Sequence, residues 1–261
     1  MKIDPLWTMV SAFLKSLVNG IITVALWAYY IMGFLLVFSP FYLCAYFLSD
    51  RREEAFQKLN YHLHRLFFFF LRIIVPHVEW RISPDVSGIR SSIIIANHLS
   101  FLDPILFVSL FEKQKTIVKG YFQVPVFGWI LKTSGYITAM QDCLVTESMM
   151  RQITNIKEYL SRGGNLFIFP EGTRSRNGRI GTFDKGAFGI ARLCRSPIQV
   201  VVIRNTHKLY PPGSLFFDTW TRNVIEVELA GVLEPHYDSE SFSLTGLMAE
   251  ARSLMERNMT P

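Results

Sequence analysis

Two short polar segments, each at the end of an apolar run, hold the residues with chemistry to offer. The first is Asn97-His98-Leu99-Ser100-Phe101-Leu102-Asp103-Pro104, directly after Ser92–Ala96. Histidine is the side chain best suited to moving protons near neutral pH. A carboxylate bonded to one ring nitrogen fixes the tautomer and leaves the other nitrogen free as a base. The separation of His98 from Asp103 lets a loop fold the acid back onto the ring. Asp103 is also placed to cap a helix, with Pro104 at the first helical position. Taken alone, this pair is a weak signal.

The second segment is Phe169-Pro170-Glu171-Gly172-Thr173-Arg174-Ser175. Proline ends a strand because it cannot donate to the ladder, and Gly172 permits a tight turn. Arg174 offers a planar fork suited to phosphate. Arg176, Arg179 and Lys185 follow it, with Asp184 the one opposing charge. A basic loop beside a base histidine suits a phosphorylated acceptor. The alternative is a solvated basic loop. Cys44, Cys143 and Cys194 are far apart, match no metal or disulfide spacing, and suit a reducing compartment.

The elements that must position these residues read as alternating strands and helices. Strand-like runs are 78–82, 92–96, 116–119, 136–139, 165–169, 198–203 and 224–230. Helical spacing appears at Met149, Met150, Ile153, Ile156 and Leu160, and again at Leu247, Met248, Ala251, Leu254 and Met255. The expected fold over 77–261 is α/β, a mixed and mostly parallel sheet flanked by helices. Ligands of such sheets bind beyond the carboxyl ends of strands, where both polar segments fall.

Residues 1–76 differ in kind and are expected to form a membrane-associated helical segment. No formal charge occurs between Lys15 and Asp50. A bilayer core needs about 20 apolar residues of helix, so this run exceeds one simple span. Pro40 lies inside it. Two shapes fit: a spanning helix with an interfacial extension, or a helix bent near Ser39-Pro40 that re-enters. Basic residues on both flanks (Lys2, Lys15, Arg51, Arg52) favour the bent form. The run is too long for a cleaved leader. Beyond it, Phe56, Leu59, Leu63, Leu66, Phe67, Phe70 and Ile74 recur at helical spacing, opposite Arg52, Lys58, His62 and Arg65. This second helix suits an interfacial position, and His62 and His64 read as surface residues.

The 261 residues are 50% hydrophobic and 18% charged, with 22 Phe. That composition excludes disorder and low-complexity classes. The net charge of +6 is concentrated in the middle of the chain, while the last 36 residues are acidic. A basic middle beside an apolar front points to anionic lipid or phosphorylated substrates. No nucleic-acid-binding motif is present, so nucleic acid is not an expected partner.

Together, NHLSFLD and, downstream, FPEGTRS resemble the glycerolipid acyltransferase family, in particular bacterial 1-acylglycerol-3-phosphate (lysophosphatidate) acyltransferases. Between them, KGYFQVPVFGWILKTSG is similar to a further family block through Lys119, Pro125, Gly128 and Gly135, and FDKGAFGIA to another. The resemblance covers roughly residues 77–205. It implies that His98, oriented by Asp103, deprotonates an acceptor hydroxyl. That oxygen then attacks the thioester of acyl-CoA or acyl-carrier protein, with no covalent acyl-enzyme, metal or cofactor. It implies that Glu171, Gly172, Thr173, Arg174 and Lys119 bind the lysophospholipid acceptor. It also implies that a two-helix motif seats the enzyme on the bacterial inner membrane, with the active site facing the cytoplasm. One departure stands out: Met140 and Gln141 occupy positions where many lysophosphatidate enzymes carry Asp and Arg. That departure keeps open a different lysophospholipid or lyso-ornithine lipid as acceptor. An inactive membrane-binding module is the alternative from another class.

Overall fold

The structure, a computed structural model, describes residues 5–138, 147–175 and 178–259. It opens with a long helical stretch. Helix α1 (Pro5–Met32) runs into a π-helical segment (Gly33–Phe38) and on into α2 (Ser39–Leu48). The helix therefore does not end at Ser39-Pro40. Pro40 brings no N–H, and the turns before it widen instead: the Ser39 N–H reaches back to the Phe34 carbonyl, while the Ser39 hydroxyl donates to the Leu35 carbonyl at 2.5 Å. A π-type insertion next to a proline is a common way to keep a helix going past a lost bond. The chain reverses at Ser49–Arg51, and α3 (Arg52–Ile74) packs against α1, the π segment and α2. At 1.5 Å per residue the first arm is roughly 65 Å long, about twice a bilayer core.

Beyond α3 the α/β layer follows as β1 (Val78–Ile82), α4 (Pro84–Gly88), β2 (Ile93–Ala96), α5 (Leu102–Leu110), β3 (Gln114–Val118), a 3-10 turn (Tyr121–Gln123), α6 (Phe127–Thr133), β4 (Ile137–Thr138), α7 (Glu147–Ser161), β5 (Asn165–Ile168), α8 (Lys185–Cys194), β6 (Ile198–Arg204), α9 (Thr206–Leu209), β7 (Asn223–Leu233) and α10 (Leu244–Met259). All seven expected strands are present, in the order β1-β7-β6-β2-β5-β3-β4. Strands β6, β2, β5, β3 and β4 are mutually parallel; β7 runs antiparallel to β6, and β1 is parallel to β7. The expected mixed, mostly parallel sheet is therefore observed.

Central strands of a parallel sheet are buried on both faces and read as unbroken apolar runs, as Ile93-Ile94-Ile95 does. Alternate residues serve different layers. Ile94, Ala96, Phe167, Val201 and Ile203 join Leu26 of α1, Phe67, Phe68 and Leu71 of α3, and α5. Ile93, Ile95, Leu166, Ile168, Val200 and Val202 join α7, α8 and α10. The apolar side of α3 is thus shared: Phe67, Phe68 and Leu71 join the core on one face of the sheet, while Phe56 and Leu63 pack with Phe38, Tyr42 and Ile130; its basic residues Arg52, Lys58, His62 and Arg65 are exposed, as the spacing indicates.

His64 corrects the sequence reading. It is buried, not at the surface; its Nδ1 meets the Asn60 carbonyl at 2.6 Å and its Nε2 meets the Tyr30 hydroxyl at 2.9 Å. The two-residue separation from His62 does turn the rings apart, but it turns His64 inward against α1. Burial pushes its pKa down to about 4, only partly opposed by the Asn60 bond, so the ring is neutral near pH 7.

Candidate active site

Strands β2 and β5 are neighbours, with Ile95 opposite Ile168, so the segments that follow them emerge side by side at one edge of the sheet. His98 and Phe169 meet there: the two rings stack with centroids 4.3 Å apart. Asn97 fixes the end of β2 by bonding to both the carbonyl and the N–H of Ile203 in β6, at 2.8 and 2.7 Å.

The His98 Nδ1 lies 2.9 Å from Asp103 Oδ2, with Asp103 fully buried and the His98 side chain 16% exposed. The same Oδ2 accepts the backbone N–H groups of Leu99 and Ser100 at 2.6 and 2.7 Å, and Oδ1 accepts the Thr206 hydroxyl at 2.6 Å. A carboxylate that receives so many donors is an acceptor only. It therefore accepts a hydrogen bond from Nδ1–H, which keeps the ring proton on Nδ1 and leaves the Nε2 lone pair free. The pairing read from the sequence is present. The capping role is not: α5 begins at Leu102, Asp103 is already inside its first turn, and its carboxylate folds back onto the preceding loop. The N-cap position is Phe101, without a side-chain cap; the Ser100 hydroxyl just before it accepts the Leu102 N–H at 3.3 Å and donates to the Tyr210 carbonyl at 2.8 Å.

Glu171 stands beside this pair without facing outward. Its Oε1 accepts the His98 N–H at 3.0 Å and its Oε2 accepts the Gly181 N–H at 2.7 Å. The Ser175 N–H donates to the His98 carbonyl at 2.7 Å. The backbone of His98 is thus gripped from both sides by the loop that follows β5. Gly172 sits at a φ of +64°, a conformation that suits glycine, and closes a turn onto the Phe169 carbonyl. Thr173 and Arg174 are exposed on that turn, and Arg174 has no ion-pair partner among the described residues. Lys119 is exposed immediately after β3, at the same sheet edge but with β5 between it and β2. Asp184 does not oppose the basic cluster; it caps α8 through the Gly186 N–H at 2.6 Å. Arg176, Met140, Gln141 and Cys143 lie outside the described residues.

Several contributors escape sequence reasoning. Thr206 holds the far oxygen of Asp103. His207 follows it, with a buried Nδ1 that has no hydrogen-bond partner among the described residues; burial and Lys208 lower its pKa against the opposing charge of Asp103. Arg252 of α10 donates to the carbonyls of Ile180 and Gly181 at 3.0 and 2.6 Å and so supports the Glu171 loop from behind. Each depends on which strand lies beside β2, and the local sequence carries no signal for that.

The arrangement can abstract a proton at His98 Nε2 and offers an exposed guanidinium to an anion on the adjoining loop. Comparisons with known proteins say what the chain as a whole is similar to. A family model described as Acyltransferase matches residues 78–204. A chloroplastic 1-acyl-sn-glycerol-3-phosphate acyltransferase of Brassica napus is 37% identical over 138 residues, which is 50% of this chain and 40% of that protein. The chloroplastic counterpart of Arabidopsis thaliana is 33% identical over 56% of this chain and 39% of its own. The aligned part thus spans about two fifths of those relatives. A 1-acyl-sn-glycerol-3-phosphate acyltransferase of Borreliella burgdorferi is 25% identical over 58% of this chain and 64% of its own. The crystal structure of the 1-acyl-sn-glycerophosphate acyltransferase PlsC of Thermotoga maritima has the same fold, with a TM-score of 0.68 at 21% identity over 92% of this chain and 95% of that one. The matched segment agrees with the roughly 77–205 marked by the sequence blocks, and it contains the His98–Asp103 pair and the Glu171 loop. These blocks lie on one sheet edge, and over residues 78–204 the chain is similar to acyltransferases in sequence and, over nearly its whole length, to PlsC in fold.

Proposed function

We propose that the protein transfers a fatty acyl group from acyl-CoA or acyl-carrier protein to 1-acyl-glycerol-3-phosphate and makes phosphatidate. The observation that carries this reading is the buried Asp103 carboxylate, whose bonds to His98, Leu99, Ser100 and Thr206 leave His98 Nε2 as the free base. In the proposed reaction His98 Nε2 takes the proton of the acceptor hydroxyl as its oxygen attacks the thioester carbonyl. The carbon–sulfur bond then breaks, and the departing thiolate takes the proton from His98. The products are an ester and a free thiol, and His98 is returned to its starting state. No covalent acyl-enzyme forms, and the scheme uses no metal or cofactor besides the acyl thioester. Arg174 meets the acceptor phosphate, and Lys119 contributes positive charge along the same edge.

The enzyme works at a membrane in this reading. The long helical arm is apolar enough to cross a bilayer by length and composition, and Trp7, Phe13, Ile21, Val24, Leu36, Phe41 and Phe47 are exposed along it. We assign the protein to the cytoplasmic membrane, with the catalytic edge on the cytoplasmic side. A second acceptor reading, a zwitterionic lysophospholipid or lyso-ornithine lipid, is favoured by Met140 and Gln141 in place of Asp and Arg.

An acceptor panel with one acyl-CoA decides between them: lysophosphatidate is expected to be acylated fastest, and preference for an acceptor without a terminal phosphate overturns the first reading. His98→Ala should abolish transfer while the protein stays membrane-associated. Residual activity above a few per cent of the parent's would remove His98 as the base, whereas a parent without activity on any acceptor would favour the inactive-module reading.

A further inference from the structure

The segment 211–222 between α9 and β7 leaves three large apolar side chains in the open: Leu215 is 77% exposed, and Phe216 and Trp220 are each 45% exposed. Yet the segment is firmly built. Phe217 is buried in the core shared by α1, α3 and α5. Asp218 accepts the N–H groups of Trp220 and Thr221 at 3.1 Å each and the Thr221 hydroxyl at 2.6 Å, and its own N–H bonds to the Leu209 carbonyl at 2.8 Å. The outward apolar side chains therefore belong to an ordered turn, which holds them where water would otherwise favour their collapse.

The turn is also fastened to α1. Thr23 accepts the Phe217 N–H at 2.9 Å, and the Asn19 carboxamide oxygen accepts the Thr219 N–H at 3.1 Å and its hydroxyl at 2.6 Å. These are two polar residues inside the charge-free stretch, and both face this turn. The Phe216 ring passes beside Gly20, where an added methyl group would lie 3.8 Å away. Leu17, Ile21 and Val24 are exposed on the adjoining helical face, so the apolar surface continues from helix to turn without a break. Lys15, Lys208 and Arg222 are exposed around it, a basic rim suited to anionic head groups. Tryptophan at such a margin fits the interface of a bilayer.

We propose that segment 211–222 enters the lipid surface beside α1, with Leu215, Phe216 and Trp220 among the acyl chains. This rests on the membrane reading of α1 given above and adds a second point of contact. That contact lies close to the reaction, because the chain leading into the turn carries Thr206 and Tyr210, which bond to Asp103 and Ser100. The adjoining contacts of helix and turn would hold His98 at a fixed height over the lipid that carries the acceptor hydroxyl.

The test places the photoreactive residue p-benzoylphenylalanine singly at Phe13, Leu215, Trp220 or Ser239 of the full-length protein. Ser239 is exposed beyond the end of β7, at the opposite edge of the sheet. Each protein is reconstituted in vesicles of phosphatidylethanolamine and phosphatidylglycerol and irradiated, and lipid adducts are read by mass spectrometry. Adducts at 13, 215 and 220, several-fold above the yield at 239, are the expected result. Adducts at 13 with none above background at 215 or 220 overturn the proposal and leave the anchor reading standing. A cross-linked dimer from 215 or 220 overturns it in favour of a second copy of the chain. Absence of adducts at every position removes the anchor reading together with this one.

Discussion

At the scale of single residues, the Asp103 carboxylate decides most. His98 presents the correct tautomer because Asp103 is saturated with donors, and Thr206 supplies the one that reaches Oδ1. Hydrogen bonds to charged groups are worth about 1.5–3 kcal/mol. Thr206→Val should therefore lower kcat by roughly tenfold or more with little change in acceptor KM; an unchanged kcat in steady-state assays would make the bond merely structural. His64 makes a prediction in pH. Its folded pKa of about 4 lies below the usual 6.5, so between those values the unfolded chain binds the extra proton. Stability is full above about pH 6.5 and falls as pH drops toward 4, by about 3 kcal/mol for this group. In acid unfolding monitored by circular dichroism, His64→Gln should flatten that slope. The sequence shows both histidines plainly but not their settings. His98 is legible because its partner is five residues away; His64 is not, because its partner Tyr30 comes from another helix and nothing in the spacing reveals the approach of α1.

Elements explain why the loop after β5 stays in place. Glu171 links the backbone of His98 to that of Gly181, and α10 holds the carbonyls of Ile180 and Gly181 through Arg252. Arg252→Ala should loosen this loop and raise the KM for a phosphorylated acceptor more than that for the acyl donor, with Arg252→Lys recovering part of the difference. Equal changes in both constants would mean a general loss of structure. Glu171→Gln puts an amide N–H against a backbone N–H at one of the two oxygens, so it should cost kcat by loosening the His98 backbone; a parent-like kcat with a raised acceptor KM would point to a direct binding role. The strands that carry these loops are readable as apolar runs between turns, and all seven are found near their expected bounds. Strand order is not readable in that way. That β6 lies next to β2, and so brings Thr206 under Asp103, follows from long-range pairing that no local pattern encodes.

On the scale of the whole molecule, the apolar front end and the sheet are one packed body. Leu26 of α1 and Phe67, Phe68 and Leu71 of α3 share a core with Phe107, Phe167 and Ile203. Deleting residues 1–50 should therefore give an aggregated protein with little activity even in detergent, as judged by size-exclusion chromatography and acyl transfer; a monomeric, fully active truncation would show that α1 is dispensable. Composition reveals the apolar excess, and its position marks an outward apolar arm, but neither shows that the inner side of the arm also packs against the α/β layer. A soluble form of this enzyme will therefore not come from a pair of scissors. It would need the outward side chains of the arm replaced by polar ones, position by position, while Asn19, Thr23, Leu26 and Tyr30 are kept.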